Sequence, residues 1–157
     1  MLDKDGNTGE PSEAGGAQSA DDGDGGISFE ESEFIAYCGA NEIDCDEAEM
    51  GEESRKDFEK IKQRFMKAVS EKRLVADGTK LVYTVSKFSE TAGEKLAISR
   101  PRGRDLMAMD GFKDTQQAHK FNAFLASLAG KDKSYIARLD IKDRQFLQDV
   151  GILFLTA

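Results

Sequence analysis

The fold is decided by residues 95–112, KLAISRPRGRDLMAMDGF, which predict a strand, a sharp break and a short helix. Leu96 and Ile98 alternate with polar or small residues, as in a half-buried strand. Pro101 has no backbone N–H and favours extended geometry in the residue before it, so the strand should end there. Apolar residues one helical turn apart follow, with a glycine that can end the helix. We therefore expect strands just before this stretch and helices after it.

Residues 73–99 predict a small antiparallel meander. Asp77-Gly78 is a typical signal for a two-residue type I′ hairpin, and residues 81–85 are rich in β-forming side chains. A few short strands cannot stand alone, so they need helices against one face. One helix should precede the meander at residues 55–72, where apolar side chains follow helical spacing.

The C-terminal part carries two apolar stripes at helical spacing. Residues 115–129 carry the first stripe and end at Gly130, and a short turn at 135–139 leads to a last helix capped by Asp140. The predicted fold class is therefore α+β. It consists of a small antiparallel hairpin or meander followed by a three-helix C-terminal part. One amphipathic helix and a disordered acidic N-terminal arm come before it.

Charge divides the chain into two unlike parts. Residues 1–53 hold seventeen acidic residues and one basic residue, a net charge of −16, whereas residues 54–157 carry a net charge of +8. We predict a disordered acidic tail at 1–26, an acidic arm at 27–53 that can form a short helix capped by Ser28, and a small α+β domain at 54–157. The arm could fold back on the basic body or compete with an acidic partner. A purely solubilising tail is the alternative.

No feature of the sequence indicates secretion or a membrane. The first residues lack the pattern of a signal peptide, and the longest apolar run, Ile152–Leu155, is far shorter than the roughly 20 residues of a membrane span. Cys38 and Cys45 do not have the spacing of a disulfide framework, a zinc site or a redox motif. We therefore expect a soluble cytoplasmic protein with free thiols.

We find no catalytic constellation in the sequence. His119 is expected on a polar helix surface, and no nucleophile motif, phosphate-binding loop or metal-ligand spacing is present. We therefore expect no enzymatic activity, no cofactor and no metal. The arginines at the break, Arg100, Arg102 and Arg104, are candidates for binding carboxylates of a partner or of the acidic arm. Local ion pairing with nearby aspartates is the alternative.

The last two long helices offer apolar candidates for partner binding. Apolar residues reach almost to the end of the chain, and such an end is either docked on the core or reserved for a partner. The apolar candidates are Phe121, Phe124, Leu125, Leu128, Phe146, Leu147, Val150, Leu153 and Phe154. The same face could also support a homo-oligomer.

Four segments carry a resemblance to a known family. Residues 95–106 combine an apolar strand, an Arg-Pro break and an Asp-Leu pair that opens a helix. Phe124–Ala129 is FLASLA, Ile136–Asp143 is IARLDIKD, and Gln145–Leu155 forms a final helix with an apolar end. In these features residues 74–157 resemble the phage tail assembly chaperones of Mu-like and related contractile-tailed phages.

The resemblance implies a non-enzymatic chaperone of phage or prophage tail and virion morphogenesis, located in the cytoplasm of the bacterial host. Members of the family are thought to coat the tape-measure protein, keep its long apolar helices soluble, and then yield to tail-tube subunits. The implied partners are therefore the tape-measure protein and the tail-tube protein. The family often makes a longer, frameshifted product. The acidic residues 1–53 and the helix at 55–72 depart from its compact members.

A second interpretation starts from the charge distribution. The basic residues 55–157 could form a nucleic-acid-associated module, with the acidic arm as a DNA mimic that inhibits it. The net negative charge of the chain and the lack of aromatic residues on the basic face of the 55–72 helix do not favour nucleic acid as the partner.

Overall fold

The structure, a computed structural model, describes residues 26–156. Its helices are α1 (Phe29–Ala40), α2 (Glu52–Ser70), α3 (Gly103–Met107), α4 (Gln117–Leu128), α5 (Lys133–Ala137) and α6 (Ile141–Leu155). Its strands are β1 (Leu74–Asp77), β2 (Lys80–Thr84) and β3 (Lys95–Ile98). The predicted α+β class is confirmed. The disordered tail predicted for 1–26 lies, except for Gly26, outside the described residues.

The three strands form one antiparallel sheet in the order β1-β2-β3. Leu74 lies opposite Tyr83, which in turn lies opposite Leu96, and Leu81 lies opposite Ile98. These five side chains are buried on one face, whereas the alternating residues of the other face are exposed or half-buried. The sheet therefore packs on the helices with one face only, as three short strands require.

The hairpin between β1 and β2 lies one residue later than predicted. Asp77 pairs with Lys80, so the two loop residues are Gly78 and Thr79. Gly78 has a φ of 60°, a conformation that favours glycine, whereas Thr79 keeps a negative φ. The predicted type I′ turn, which needs positive φ at both positions, is wrong because a β-branched threonine resists that conformation.

The segment 27–53, predicted as an acidic arm, contributes α1 to the hydrophobic core. Phe34 and Tyr37 are almost fully buried, and their ring centres lie 5.1 and 5.6 Å from that of Phe65 on α2. A carboxylate oxygen of Glu31 lies 2.8 Å from the ammonium nitrogen of Lys62, which adds an ion pair to this contact. Helix α1 is thus part of the same core as the sheet and the C-terminal helices.

Several helix ends follow the expected capping chemistry. The hydroxyl of Ser28 accepts the backbone N–H of Glu31 at 3.1 Å, and the carboxylate of Asp140 accepts that of Lys142 at 3.0 Å. Gly130, with a φ of 66°, follows the end of α4. These local signals place the starts of α1 and α6 and the end of α4 where the sequence predicts them.

A buried carboxylate joins the sheet to α6. Asp143 is fully buried and accepts hydrogen bonds from the phenol of Tyr83 at 2.7 Å, the backbone N–H of Ser86 at 3.1 Å, and the hydroxyls of Ser86 and Ser89 at 2.8 and 2.5 Å. Arg73 donates to the Tyr83 phenol oxygen at 2.7 Å. Since a buried charge is tolerated only when it is hydrogen-bonded, these contacts fix β2, the turn after it and α6 relative to one another.

Helix α6 is also held tightly by α4 and α2. A Cβ atom at Gly151 would lie only 2.7 Å from Cδ2 of Leu125, so a larger residue there would force the Leu125 side chain to move. On the α2 side, Arg64 makes two hydrogen bonds of 2.6 and 2.9 Å to the carboxylate of Asp149. Burial raises the pKa of Asp149, and the Arg64 guanidinium opposes that increase.

Asp143→Asn is expected to lower the free energy of unfolding by about 3 kcal/mol. The asparagine NH₂ group would face the hydroxyl and N–H donors that the carboxylate accepts, and the charge-assisted hydrogen bonds would be lost. Urea unfolding followed by circular dichroism measures the change. Asp110→Asn alters an exposed carboxylate and should change the same free energy by less than about 0.5 kcal/mol. Equal and small effects of the two substitutions would contradict the structural role of Asp143.

The three tyrosines of the chain, Tyr37, Tyr83 and Tyr135, should resist ionisation in the folded protein. Burial is the main cause that raises the pKa of each phenol above its ordinary value of 10.0. Their stabilising contribution is therefore fully present below pH 10 and is lost as the pH rises further.

An alkaline titration of tyrosinate absorbance measures this resistance. At pH 10 the folded protein should show well under half of its tyrosines ionised, whereas a urea-unfolded sample should titrate with the ordinary pKa. Half ionisation at pH 10 with a native circular dichroism spectrum would show that the phenols are accessible to solvent.

Candidate partner-binding groove

Most of the apolar candidates for partner binding belong to the monomer core. The buried ones are Phe124, Leu125, Leu128, Phe146, Leu147, Val150 and Leu153. Phe121 and Phe154 are half-buried and pack against that core. The apolar stripes of α4 and α6 therefore cover each other and the sheet, and only the edge of this set of residues reaches the surface.

A small groove brings together parts of both predicted clusters, the arginines and the apolar residues. Its volume is about 180 Å³, and it is lined by Arg100, Pro101, Leu106, Phe124, Phe154 and Leu155. Leu106 is 46% exposed and Leu155 is 45% exposed. The groove thus offers an apolar floor and walls with a guanidinium at its edge, which is an arrangement that accepts an apolar side chain of another protein.

The three arginines of the break have different environments. Arg100 donates a hydrogen bond to the backbone carbonyl of Asn41, and its guanidinium lies 4.0 Å from the carboxylate of Glu42. Arg102 and Arg104 are exposed at the start of α3. Arg100 therefore ties the groove to the loop after α1, whereas the other two arginines remain accessible to a partner.

A buried aspartate fixes the position of α3 beside the groove. Asp105 accepts the backbone N–H of Arg102 at 2.7 Å and also accepts the hydroxyl of Ser127 on α4. This carboxylate, which is only 4% exposed, caps α3 and attaches it to α4. The short helix consequently holds Leu106 at the groove and leaves its neighbour Met107 largely exposed.

Two buried polar atoms beside the groove have no hydrogen-bond partner among the described residues. They are the phenol oxygen of Tyr37 and the side-chain oxygen of Asn41. The ring centre of Tyr37 lies 6.3 Å from that of Phe154, and the backbone of Asn41 binds Arg100, so both residues adjoin groove residues. Oε1 of Glu47 and Nε of Arg144 are also buried without a partner among the described residues, so such atoms alone do not single out the groove.

The described residues do not assemble a metal site. No group of three or more His, Cys, Asp or Glu side chains within 26–156 could hold a metal ion. His119 is exposed, and its ring stacks on that of Phe112 with ring centres 6.4 Å apart. Cys38 and Cys45 are free thiols, and burial raises the pKa of the Cys38 thiol, which disfavours the reactive thiolate.

The part of the chain that the structure describes holds no helix that is both long and apolar enough to cross a membrane.

The sequence did not predict the groove as a unit. Three of its lining residues, Pro101, Leu106 and Leu155, are not among the candidates, because they come from the loop after β3, the short helix α3 and the end of α6. Only α3 carries a local sequence signal for an exposed apolar surface. Leu106 and Met107 follow the arginines there, in a helix that is too short to bury both side chains.

Comparison with known proteins gives no relative for this chain. No protein-family model matches it, and neither curated proteins nor solved structures give a significant match.

Arg100→Ala is expected to lower the free energy of unfolding by about 1 kcal/mol, because it removes the hydrogen bond that ties the groove to the loop after α1. Arg102→Ala is the matched control and should change the same free energy by less than about 0.5 kcal/mol. Urea unfolding measures both. A loss for Arg102→Ala as large as that for Arg100→Ala would contradict the different environments of the two arginines.

Proposed function

We propose that this protein is a phage or prophage tail assembly chaperone that binds an apolar helical segment of the tape-measure protein and has no enzymatic activity. The observation that supports the proposal is the exposed apolar groove edged by Arg100. The resemblance of residues 74–157 to tail assembly chaperones supplies the identity of the partner.

The groove has the properties that helix recognition requires. A partner helix that binds a groove inserts a few apolar side chains spaced three or four residues apart. A groove of about 180 Å³ can take one such side chain, and the exposed Leu106 and Met107 extend the apolar surface beside it. A small contact of this kind gives weak, reversible binding, which suits a chaperone that must yield its client to tail-tube subunits.

The exposed Arg102 and Arg104 add an electrostatic component to the proposed contact. Charges at the rim of an interface steer association and set its salt dependence more than they add affinity. A carboxylate on the partner helix could meet either guanidinium without being buried. Binding should therefore weaken at high ionic strength while the apolar contact persists.

The charges on α2 favour a protein partner over nucleic acid. Most of its basic side chains already meet carboxylates, in the pairs Lys56–Glu52, Lys60–Asp57, Lys62–Glu31 and Arg64–Asp149. Because four of its basic side chains are paired in this way, α2 offers a phosphate backbone less charge than its basic composition suggests.

Co-expression with the tape-measure protein of the same gene cluster tests the proposal. The wild-type chain should raise the soluble fraction of the tape-measure protein several-fold. Leu106→Asp and Leu155→Asp should remove that gain, because each places a charge in the apolar groove.

Ile141→Asp is the matched control, because Ile141 is even more exposed and lies at the other end of α6, about 20 Å from the groove. It should keep the full gain in solubility. No gain with the wild-type chain would exclude the chaperone function. A loss with Ile141→Asp equal to that of the groove variants would remove the groove from the proposal.

A further inference from the structure

A larger cavity lies at the end of α6 opposite to the groove. It has a volume of about 500 Å³ and is bounded by the C-terminal half of α2, the residues between α2 and β1, the end of β2, the turn after β2 and the first turns of α6. This volume falls within the roughly 300–1,000 Å³ of small-molecule sites. We call it the basic cavity, because five of its lining residues are Arg64, Lys67, Arg73, Lys87 and Lys142.

The two arginines of the basic cavity are fixed by carboxylates. Arg64 is paired with Asp149, and a guanidinium nitrogen of Arg73 lies 2.7 Å from the carboxylate of Glu71. Arg73 also donates to the phenol of Tyr83, as described above. Their charges are largely compensated, so these two residues shape the cavity rather than leave it strongly positive.

The three lysines of the basic cavity are only partly compensated. The Glu71 carboxylate also lines the cavity. Its pKa is lowered mainly by the hydrogen bond from Arg73 and further by the charges of Lys67 and Lys142. Lys67, Lys87 and Lys142 are exposed and form no ion pair with a carboxylate in the described part of the chain. They come from α2, from the turn after β2 and from the first turn of α6. Three separate elements therefore bring three lysines to one concave surface whose lining holds a single carboxylate, so its net charge stays positive and attracts an anion.

The rest of the lining combines aromatic and aliphatic side chains with the polar residues Glu71, Thr84, Ser86 and Gln145. The rings of Tyr83 and Phe146 stack with centres 4.2 Å apart, and Val85 and Ala68 extend this surface. Phe88 is 63% exposed and also lines the cavity, and the ammonium nitrogen of Lys87 lies 5.2 Å from its ring centre. An exposed aromatic ring beside cationic side chains is a stacking surface for a planar group.

We propose that the basic cavity binds a phosphate-bearing ligand with a planar ring, of the size of a nucleoside monophosphate. Lys67, Lys87 and Lys142 contact the phosphate, and Phe88 stacks on the ring. A free nucleotide and the phosphorylated end of a nucleic-acid strand both present this chemistry. The site is independent of the groove and of the proposed chaperone function.

Calorimetric titration of the full chain with the four ribonucleoside 5′-monophosphates tests the proposal. At least one should bind saturably, with an affinity at least tenfold higher than that of inorganic phosphate or of the matching nucleoside. Inorganic phosphate lacks the planar ring, and the nucleoside lacks the phosphate. The affinity should fall as salt is added, because the phosphate contacts are electrostatic.

Three substitutions on the surface separate the two halves of the site. The double change Lys67→Gln and Lys142→Gln should weaken nucleotide binding about tenfold or more, because it removes two of the three charges. Phe88→Ala should weaken binding of the nucleotide but leave that of inorganic phosphate unchanged. Lys56→Gln, on the same helix as Lys67 but paired with Glu52, is the control and should change neither.

An oligonucleotide with a 5′-phosphate distinguishes the two sources of the ligand. Tighter binding than the free nucleotide, with the same dependence on the lysines and Phe88, identifies a strand end; equal or weaker binding identifies a free nucleotide. The proposal is overturned if none of the four nucleotides binds saturably. It is equally overturned if the lysine and phenylalanine variants bind as the wild type does, or if inorganic phosphate binds as tightly as the nucleotide.

Discussion

The burial of one carboxylate, Asp143, determines how the sheet meets the last helix. A charge with no exposure to water is stable only where donors replace the water, and four donors from β2 and the turn after it do so here. These donors are distant from α6 in sequence and converge only in this arrangement. The network therefore disfavours any other packing of α6 on the sheet. It also fixes the Tyr83 ring, which stacks on Phe146 and lines the basic cavity.

Local patterns predicted the elements because each pattern is decided within one or two helical turns. The alternation at Leu96 and Ile98, the cap at Asp140 and the glycine after α4 all act through neighbouring residues. The hairpin was misplaced by one residue because its register depends on pairing across the sheet. The sequence leaves open whether the segment 27–53 folds back on the body, because Phe34 and Tyr37 become core residues only through a tertiary partner such as Phe65.

The candidate site could be predicted only in part. An apolar stripe shows that one face of a helix must be covered, but the same stripe results whether another chain or the chain itself covers it. In this protein the chain itself covers the apolar stripes. Helices α6 and α4 lie so close together that a Cβ at Gly151 would displace the Leu125 side chain. Of the twelve predicted residues, only Arg100, Phe124 and Phe154 line the groove. The others could not be ranked, because exposure depends on packing between elements that are far apart in sequence.

Helix α6 contributes residues to both surfaces. Lys142 and Phe146 line the basic cavity near the start of α6, and Phe154 and Leu155 line the groove at its end, about 12 to 20 Å further along the helix. A signal between them would require α6 to slide or rotate. Three contacts oppose such a shift: the close approach at Gly151, the Arg64–Asp149 pair and the hydrogen bonds of Asp143. A closely packed core also resists small displacements of a helix. Since coupling requires a second state that a ligand can favour, occupancy of the cavity should leave the affinity of the groove unchanged.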